Sequence, residues 1–579
     1  MSAFLIRLSA DARFCLVGLC LMLAPSIAFS AETEPGGWAE FASFRYEGRD
    51  PRRETVTVGD GEYYNPVLAG FYPDPSVCRA GDNYYLVNST FAYFPGVPIF
   101  KSANLVDWEQ IGHVLDRPSQ LDLDGLPVSS GVFAPTITFH EGVFYMITTN
   151  VRGVGNFYVT ATDPAGPWSD PHRLSFDGID PSFFFDSDGR TYIVHNGPPP
   201  GNQPLYEGHR AIWIWDFEPA TRTVENGRII VNGGVDLAEK PVWIEGPHIF
   251  RRDGWYYLSC AEGGTGPNHS QVVFRTRSLD EPFLPSPHNP ILTQRDLDPD
   301  RPFPVTALGH ADLVETPDGD WWSVFLGIRP YENGLSNLGR ETFLLPVEWR
   351  DGWPTILAPG QPLPMVVDRG GTPSTPDIEP TTGSFSWSDE FDAEELGLPW
   401  VFLRTPRERW WSLVDKPGSL LLKPRPISIA SQPDRSLERN GNPSFVGRRL
   451  QHEDFSATTR LMANPNSADS DAGVAALQND ANYFFLGVRL SGGAALEVFL
   501  EQSSQHSDGP VIVARAPLDG VNGPIDLRIE GAGRDYRFRY RLDDGEWNTL
   551  ADGVDGGLLS TQQAGGFVGT VLGLYARTP

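Results

Sequence analysis

The chain has 579 residues, a formal net charge of −29 at pH 7, and 60 Gly, 52 Pro, 16 Trp, 18 Tyr and 34 Phe. That length exceeds one ordinary core and asks for two domains, while the wealth of turn formers and aromatics points to an all-β protein. So acidic a chain excludes nucleic acid and anionic membranes as partners, because phosphate binding needs a basic face, and it suits a small neutral ligand.

At the N-terminus, Arg7 and Arg13 precede the apolar stretch 14–23, and Ala28-Phe29-Ser30 offers small residues for cleavage. This predicts a secretory signal peptide over 1–30 and a secreted or periplasmic protein. No later segment is long and apolar enough to span a bilayer. Residues 31–64 include WAEFASFRYEGRDPRRETV. Their aromatics predict a segment packed on the surface of the domain that follows. Cys78 and Cys260, the cysteines left after cleavage, are expected to be buried free thiols rather than a disulfide.

From 65 to 355 one unit returns five times: DPSVCRAGDNYYLV from Asp74, APTITFHEGVFYMIT from Ala134, DPSFFFDSDGRTYIV from Asp180, EGPHIFRRDGWYYLS from Glu245, and HADLVETPDGDWWSVF from His310. Each is an opener, a short apolar run, a Gly/Asp turn and an aromatic strand, which reads as a β-hairpin. The openers are spaced by 60, 46, 65 and 65 residues. A repeated β unit of this size predicts a five-bladed β-propeller, whose equivalent positions surround one axis. Asp74, Asp180, Glu245 and His310 should therefore converge. Asp and Pro at strand starts also serve as turn formers; Glu has no such role, so Glu245 favours a functional set. A Pro/Gly-rich connector over 356–384 interrupts regular sheet. Over 385–579, SLLLKPR, SATTRLMA, YFFLGVRL, AALEVFLEQ, VIVARAPL, IDLRIEG and the alternating 536–541 predict the strands of a β-sandwich.

Carboxyl groups facing one another across a pocket suit glycosidic hydrolysis, in which one must be protonated and another ionised. Glu245 follows Trp243 and Ile244, an apolar setting that favours its neutral form. Asp74 is held between Pro73 and Pro75. A further carboxylate beside Glu245 would raise its pKa again.

The motifs GFYPDPSV, GIDPSFFFD, EGPHIF and GHADLV, with GVFAPTI and LGRETF, resemble glycoside hydrolase family 43, in particular its β-xylosidase and α-L-arabinofuranosidase members. NPSFVGRRLQH and GGFVGTVLGLYA resemble the concanavalin-like, jelly-roll sandwich appended to many of them. The resemblance implies an exo-acting, inverting hydrolase that releases xylose, arabinose or both from hemicellulose oligosaccharides. By motif, Asp74 matches the general base, Glu245 the general acid, and Asp180 the residue that tunes and orients the acid. Inversion expects base and acid roughly 6.5–9.5 Å apart, with room for a water. Arg340 matches a sugar contact at the innermost subsite. Phe91, Tyr93 and Phe94, in a loop that the resemblance sets at the pocket, are candidates for stacking on the sugar. So is Trp243, beside the acid, and Phe133 stands where many relatives carry Trp. The chemistry needs no cofactor, and His310 matches an axial histidine implying a structural calcium held mostly by water. Arg329 reads as an ordinary ion pair. Two other readings are a non-catalytic sugar-binding propeller and an endo-arabinanase of the same fold. Three convergent acids speak against the first and the appended sandwich against the second.

Overall fold

The computed structural model describes residues 37–371, 373–375, 378–430, 441–462, 470–491, 495–518, 520–521 and 523–578. The expected signal peptide lies outside them. Five antiparallel sheets, each in simple chain order, form the blades of a propeller. Their inner strands are Ser76–Ala80, Gly131–His140, Ile179–Phe185, Glu245–Arg252 and Thr306–Glu315. These five strands neighbour one another in a closed ring.

The hairpin turn of every repeat contains a glycine at positive φ: Gly81, Gly142, Gly189, Gly254 and Gly319. The left-handed backbone needed to reverse the chain costs glycine least, which is why the repeat carries it there. The ring is closed by residues preceding the first blade. Asn65 exchanges side-chain hydrogen bonds with both main-chain groups of Leu344 on the last blade, and Leu68 forms a bridge to Thr342. Cys78 and Cys260 are both buried and free.

Two sheets make the second domain. Among the described residues, one runs 511–518, 495–503, 483–491, 471–477, 571–577, 445–449, 401–403 and 93–94; the other runs 411–412, 420–422, 39–49, 454–462, 524–532, 535–542 and 548–555, with 385–389 added beside 39–49. The strands read from the alternating segments of 385–579 are all present. Apolar side chains of the two inner faces, such as Phe484, Leu486, Leu527 and Phe538, share one core.

Two expectations need correction. The segment 31–64 does not simply lie on the propeller. Ala39–Arg49 is an inner strand of the sandwich, pairing with 454–462 on one side and with 420–422 and 385–389 on the other. Its buried Phe41, Phe44 and Tyr46 belong to the sandwich core, and strands on both sides satisfy its main-chain groups, which no propeller surface could do. The Pro/Gly-rich connector also holds a short strand, Val366–Asp368, paired with Glu62–Tyr64.

Candidate active site

The openers reach the axis because the backbone departs from regular sheet where they stand. Asp74, Asp180 and His310 adopt φ of 52°, 55° and 52°, and Gly246, after Glu245, adopts 55°. The inner strands carry register shifts between Ile179 and Ser182, between Glu245 and His248, and on both sides of Gly309. A bulge of this kind re-aims a side chain, and left-handed backbone at non-glycine residues is strain that clusters at functional sites.

Asp74 is buried and fully engaged. Arg340 Nη1 donates to its Oδ1 at 2.5 Å, Arg340 Nη2 approaches Oδ2 at 3.4 Å, and Ser89 Oγ donates to Oδ2 at 2.6 Å. Burial pushes this carboxyl up. The Arg340 guanidinium outweighs it, helped by His310, Ser89 and His269, and holds Asp74 below the usual carboxylate range. The loop that carries Asp74 is clamped by the strand after Arg340. Tyr72 N–H donates to Arg340 O, Thr342 Oγ1 donates to Tyr72 O at 2.7 Å, and Gly70 N–H donates to Glu341 Oε1 at 2.8 Å.

The other two acids have the opposite character. Burial, then the charge of Asp74, pushes Asp180 up to about 7, although Gly246 N–H donates to its Oδ2 at 3.2 Å. Glu245 is raised well above the usual range by burial first, then by Asp180 and Asp74. Among the described residues no group donates a hydrogen bond to the Glu245 carboxyl, and the charges of Arg340 and Arg210, which favour its ionised form, are outweighed. The site thus sets two carboxyls apart: Asp74 is held below the usual carboxylate range by Arg340, and Glu245 is raised well above it by burial, with the charges of Asp180 and Asp74 adding to the effect.

His310 is buried, and burial lowers it to about 4, so it is neutral at pH 7. A Cβ on residue 246 would fall 2.8 Å from His310 Nε2, so the imidazole lies directly on Gly246. Side chains alone do not make a calcium site here, and the expected ion would rest mostly on water. One imidazole is a poor partner for a hard cation. Asp74 is committed to Arg340 and Ser89, and Asp312 accepts from Ser76 Oγ and from the N–H groups of Val77 and Leu313. Among the described residues no three His, Cys, Asp or Glu side chains form a cage.

The aromatic candidates divide. Phe133 is half-buried and meets Phe91 edge-on at 4.9 Å; Phe91 is fully buried and backs it. Trp243, two residues before Glu245, is 41% exposed, with the Arg210 guanidinium 5.4 Å over its ring. Tyr93 and Phe94 correct the expectation. They pair with Leu403 and Phe402 of the sandwich and are buried in the seam between the domains, so they cannot stack on a sugar.

Two contributors were not expected. Phe567, 37% exposed on a loop of the sandwich, stacks on Phe91 at 6.0 Å and meets Phe133 at 5.7 Å. Its carbonyl lies 3.4 Å from Arg340 Nη2, and its N–H donates to Ser129 Oγ. Gly569 approaches Leu338 so closely that a Cβ there would stand 2.4 Å from its carbonyl. The second domain therefore supplies one wall of the pocket. Arg210 is the other: its Nε and Nη2 donate to Asn196 Oδ1, whose amide holds Ile244 O beside Glu245. The only prior signal for either was the Gly-rich GGFVG motif around Phe567. Arg329 proves to be more than an ordinary pair. It is buried and joins Asp50 to Glu341, both at 2.7 Å, linking the N-terminal segment to the strand that clamps the Asp74 loop.

Comparison with known proteins accords with this geometry. Residues 63–354 match Glycosyl hydrolases family 43, and residues 388–579 match the Beta xylosidase C-terminal Concanavalin A-like domain. The chain belongs to glycoside hydrolase family 43. It is 40% identical to a xylosidase/arabinosidase of Butyrivibrio fibrisolvens over 89% of this chain and 95% of that protein. It is 36% identical to a non-reducing end α-L-arabinofuranosidase of Bacteroides ovatus, over 90% and 92%. A GH43_12 crystal structure from a capybara gut metagenome superposes with a TM-score of 0.87 at 40% identity, covering 94% of this chain and all of that one. Family 43 enzymes invert configuration, so this chain is an inverting glycosidase, acting on small carbohydrate substrates without a cofactor.

Proposed function

We propose that this family 43 enzyme removes terminal xylose, arabinose or both from hemicellulose oligosaccharides, with Asp74 as general base, Glu245 as general acid and Asp180 as the residue that tunes and orients the acid. The observation that carries the assignment is the opposed surroundings of two carboxyls in one buried site: Asp74 is paired with Arg340 and Ser89, which favours its charged form, and Glu245 is buried beside other acids, which favours its neutral form. Asp74 is ionised, so it takes a proton from a water that attacks the anomeric carbon. Glu245 is protonated, so it gives a proton to the departing glycosidic oxygen. The water adds on the face opposite the leaving group, and configuration inverts. After turnover Asp74 carries a proton and Glu245 a charge, and exchange with solvent restores both.

Xylose and arabinose are favoured by the names of the relatives, and exo action by the sandwich loop: Phe567 closes a wall that an endo-acting cleft would leave open. Export to the periplasm or medium is supported by Arg7, Arg13 and the apolar stretch 14–23, outside the described residues. The test is turnover of an aryl β-D-xyloside and an aryl α-L-arabinofuranoside, with the first-formed anomer followed by NMR. Each reactive substrate should give the inverted sugar. A product of retained configuration, or no turnover of either, would sink the proposal.

A further inference from the structure

A second cleft, of about 500 Å³, opens between the second and third blades and contains none of the three acids. Its lining includes Trp213, Trp215, Phe176 and His195. Asp177, in its lining, lies three residues before Asp180, at most about 11 Å of extended chain, so the cleft adjoins the active site.

The four rings are laid nearly parallel. Trp213 and Trp215 lie within 18° of each other at 6.1 Å, Phe176 within 22° of Trp215, and Phe176 within 26° of His195 at 4.4 Å. Both indole N–H groups are turned inward, Trp213 Nε1 to Pro198 O at 2.8 Å and Trp215 Nε1 to His195 Nε2 at 2.9 Å. What the half-exposed indoles offer the cleft is therefore ring carbon rather than N–H. Glycines let them lie flat, since a Cβ on Gly197 would fall 2.5 Å from Trp213 and one on Gly227 would fall 2.4 Å from Trp215. A cleft that turns its indole N–H groups in and leaves ring carbon exposed is arranged for a ligand that also has apolar faces.

We infer that this cleft binds the backbone of a neutral β-1,4-linked pyranose chain, holding the enzyme on xylan-type hemicellulose while the catalytic pocket works on terminal residues. The inference rests on the hemicellulase reading above. A β-linked pyranose with equatorial hydroxyls presents C–H faces to rings and hydroxyls to the sides, where Ser175 and Asp177 stand exposed. The cleft is lined by no Lys or Arg and carries the Asp177 carboxylate, which disfavours an anionic ligand.

The test is native electrophoresis of the full chain in gels cast with soluble xylan, with and without saturating xylose and arabinose to occupy the catalytic pocket. The wild type should be retarded, and the monosaccharides should not abolish this. Trp213→Ala should raise the apparent Kd for xylan about tenfold, the loss of one stacked ring at roughly 1.4 kcal/mol, while kcat/KM on an aryl substrate stays within about twofold. Val154→Trp, at an exposed position of the rim, should fill the cleft and have the same effect should the first variant fail to fold. A wild type that migrates alike with and without xylan overturns the inference, as does full retardation of a folded variant. Absence of turnover on any aryl pentoside would count against the catalytic reading, while retardation would still decide for or against the cleft.

Discussion

Replacing Arg340 by Met removes the cation that touches Asp74 and keeps most of the side-chain volume. Both partners are nearly inaccessible, with side chains 7% and 6% exposed. Removing one member of a buried pair costs about 3–5 kcal/mol. Ser89 Oγ still donates to Asp74 at 2.6 Å, which favours the lower end, about 3 kcal/mol. The cost should depend on pH in a definite direction. In the wild type the folded pKa of Asp74 is depressed, so the pair stabilises above the unfolded value, about 3.9, and that stability is lost as pH falls through the folded value. In Arg340→Met burial is left dominant and the folded pKa rises. The charged carboxylate then destabilises the protein at high pH, and the penalty is relieved as Asp74 takes up a proton. Urea unfolding at pH 8, 6.5 and 5 should show a gap between the two proteins that is largest at pH 8 and narrows toward pH 5. The acidic limb of kcat/KM, which needs ionised Asp74, should move toward neutral pH. A gap independent of pH, together with an unmoved acidic limb, would refute the account of Arg340 as the group that keeps the base charged.

Glu245→Ala should lose roughly 100- to 10,000-fold on a natural oligosaccharide and far less on an aryl substrate with an activated phenol; equal losses on both would remove Glu245 from the role of proton donor. Asp180→Asn deletes a charge that raises Glu245, so the basic limb of the pH profile should shift toward acid, and an unmoved limb would argue against the coupling. Phe567→Ala breaks ring contacts with Phe91 and Phe133, each worth about 0.5–1.5 kcal/mol. Steady-state kinetics on an aryl substrate should therefore show KM raised several-fold with kcat changed less; an unchanged KM would mean the sandwich wall does not touch the sugar.

The propeller and its acids were legible because a repeat marks equivalent places. Five Gly/Asp turns announced five hairpins, and Asp74, Asp180, Glu245 and His310 came together beside local irregularities of the backbone. Residues that act across the domain seam carried no such mark. Phe567 lies in a Gly-rich loop that reads as a turn until it is set against Phe91, more than four hundred residues earlier. Arg210 works through Asn196, a contact that no spacing along the chain reveals. Tyr93 and Phe94 were misplaced because an aromatic pair suits a sugar and a buried seam equally, and only their pairing with Phe402 and Leu403 decides between the two. Strand 39–49 was misread for a related reason: its aromatics were visible, but its partners lie beyond the whole propeller, at 385–389, 420–422 and 454–462.

That strand makes the two domains inseparable in a way the word appended hides. Tyr46 hydrogen-bonds His452, 406 residues later, so the sandwich is begun before the propeller and completed after it. Topologically the catalytic domain is an insertion within its own companion. At synthesis rates of about 5–20 residues per second, an aromatic strand with both edges open waits roughly 20–80 s for its partners. A fragment cut at the connector would lack an inner strand of its sheet, and the propeller left behind would carry that strand unpaired, an edge that invites association with other chains. The unit that can be moved between proteins is consequently the whole shell with its contents, and a peptide spanning 37–50 is the natural piece with which to complement a sandwich expressed by itself.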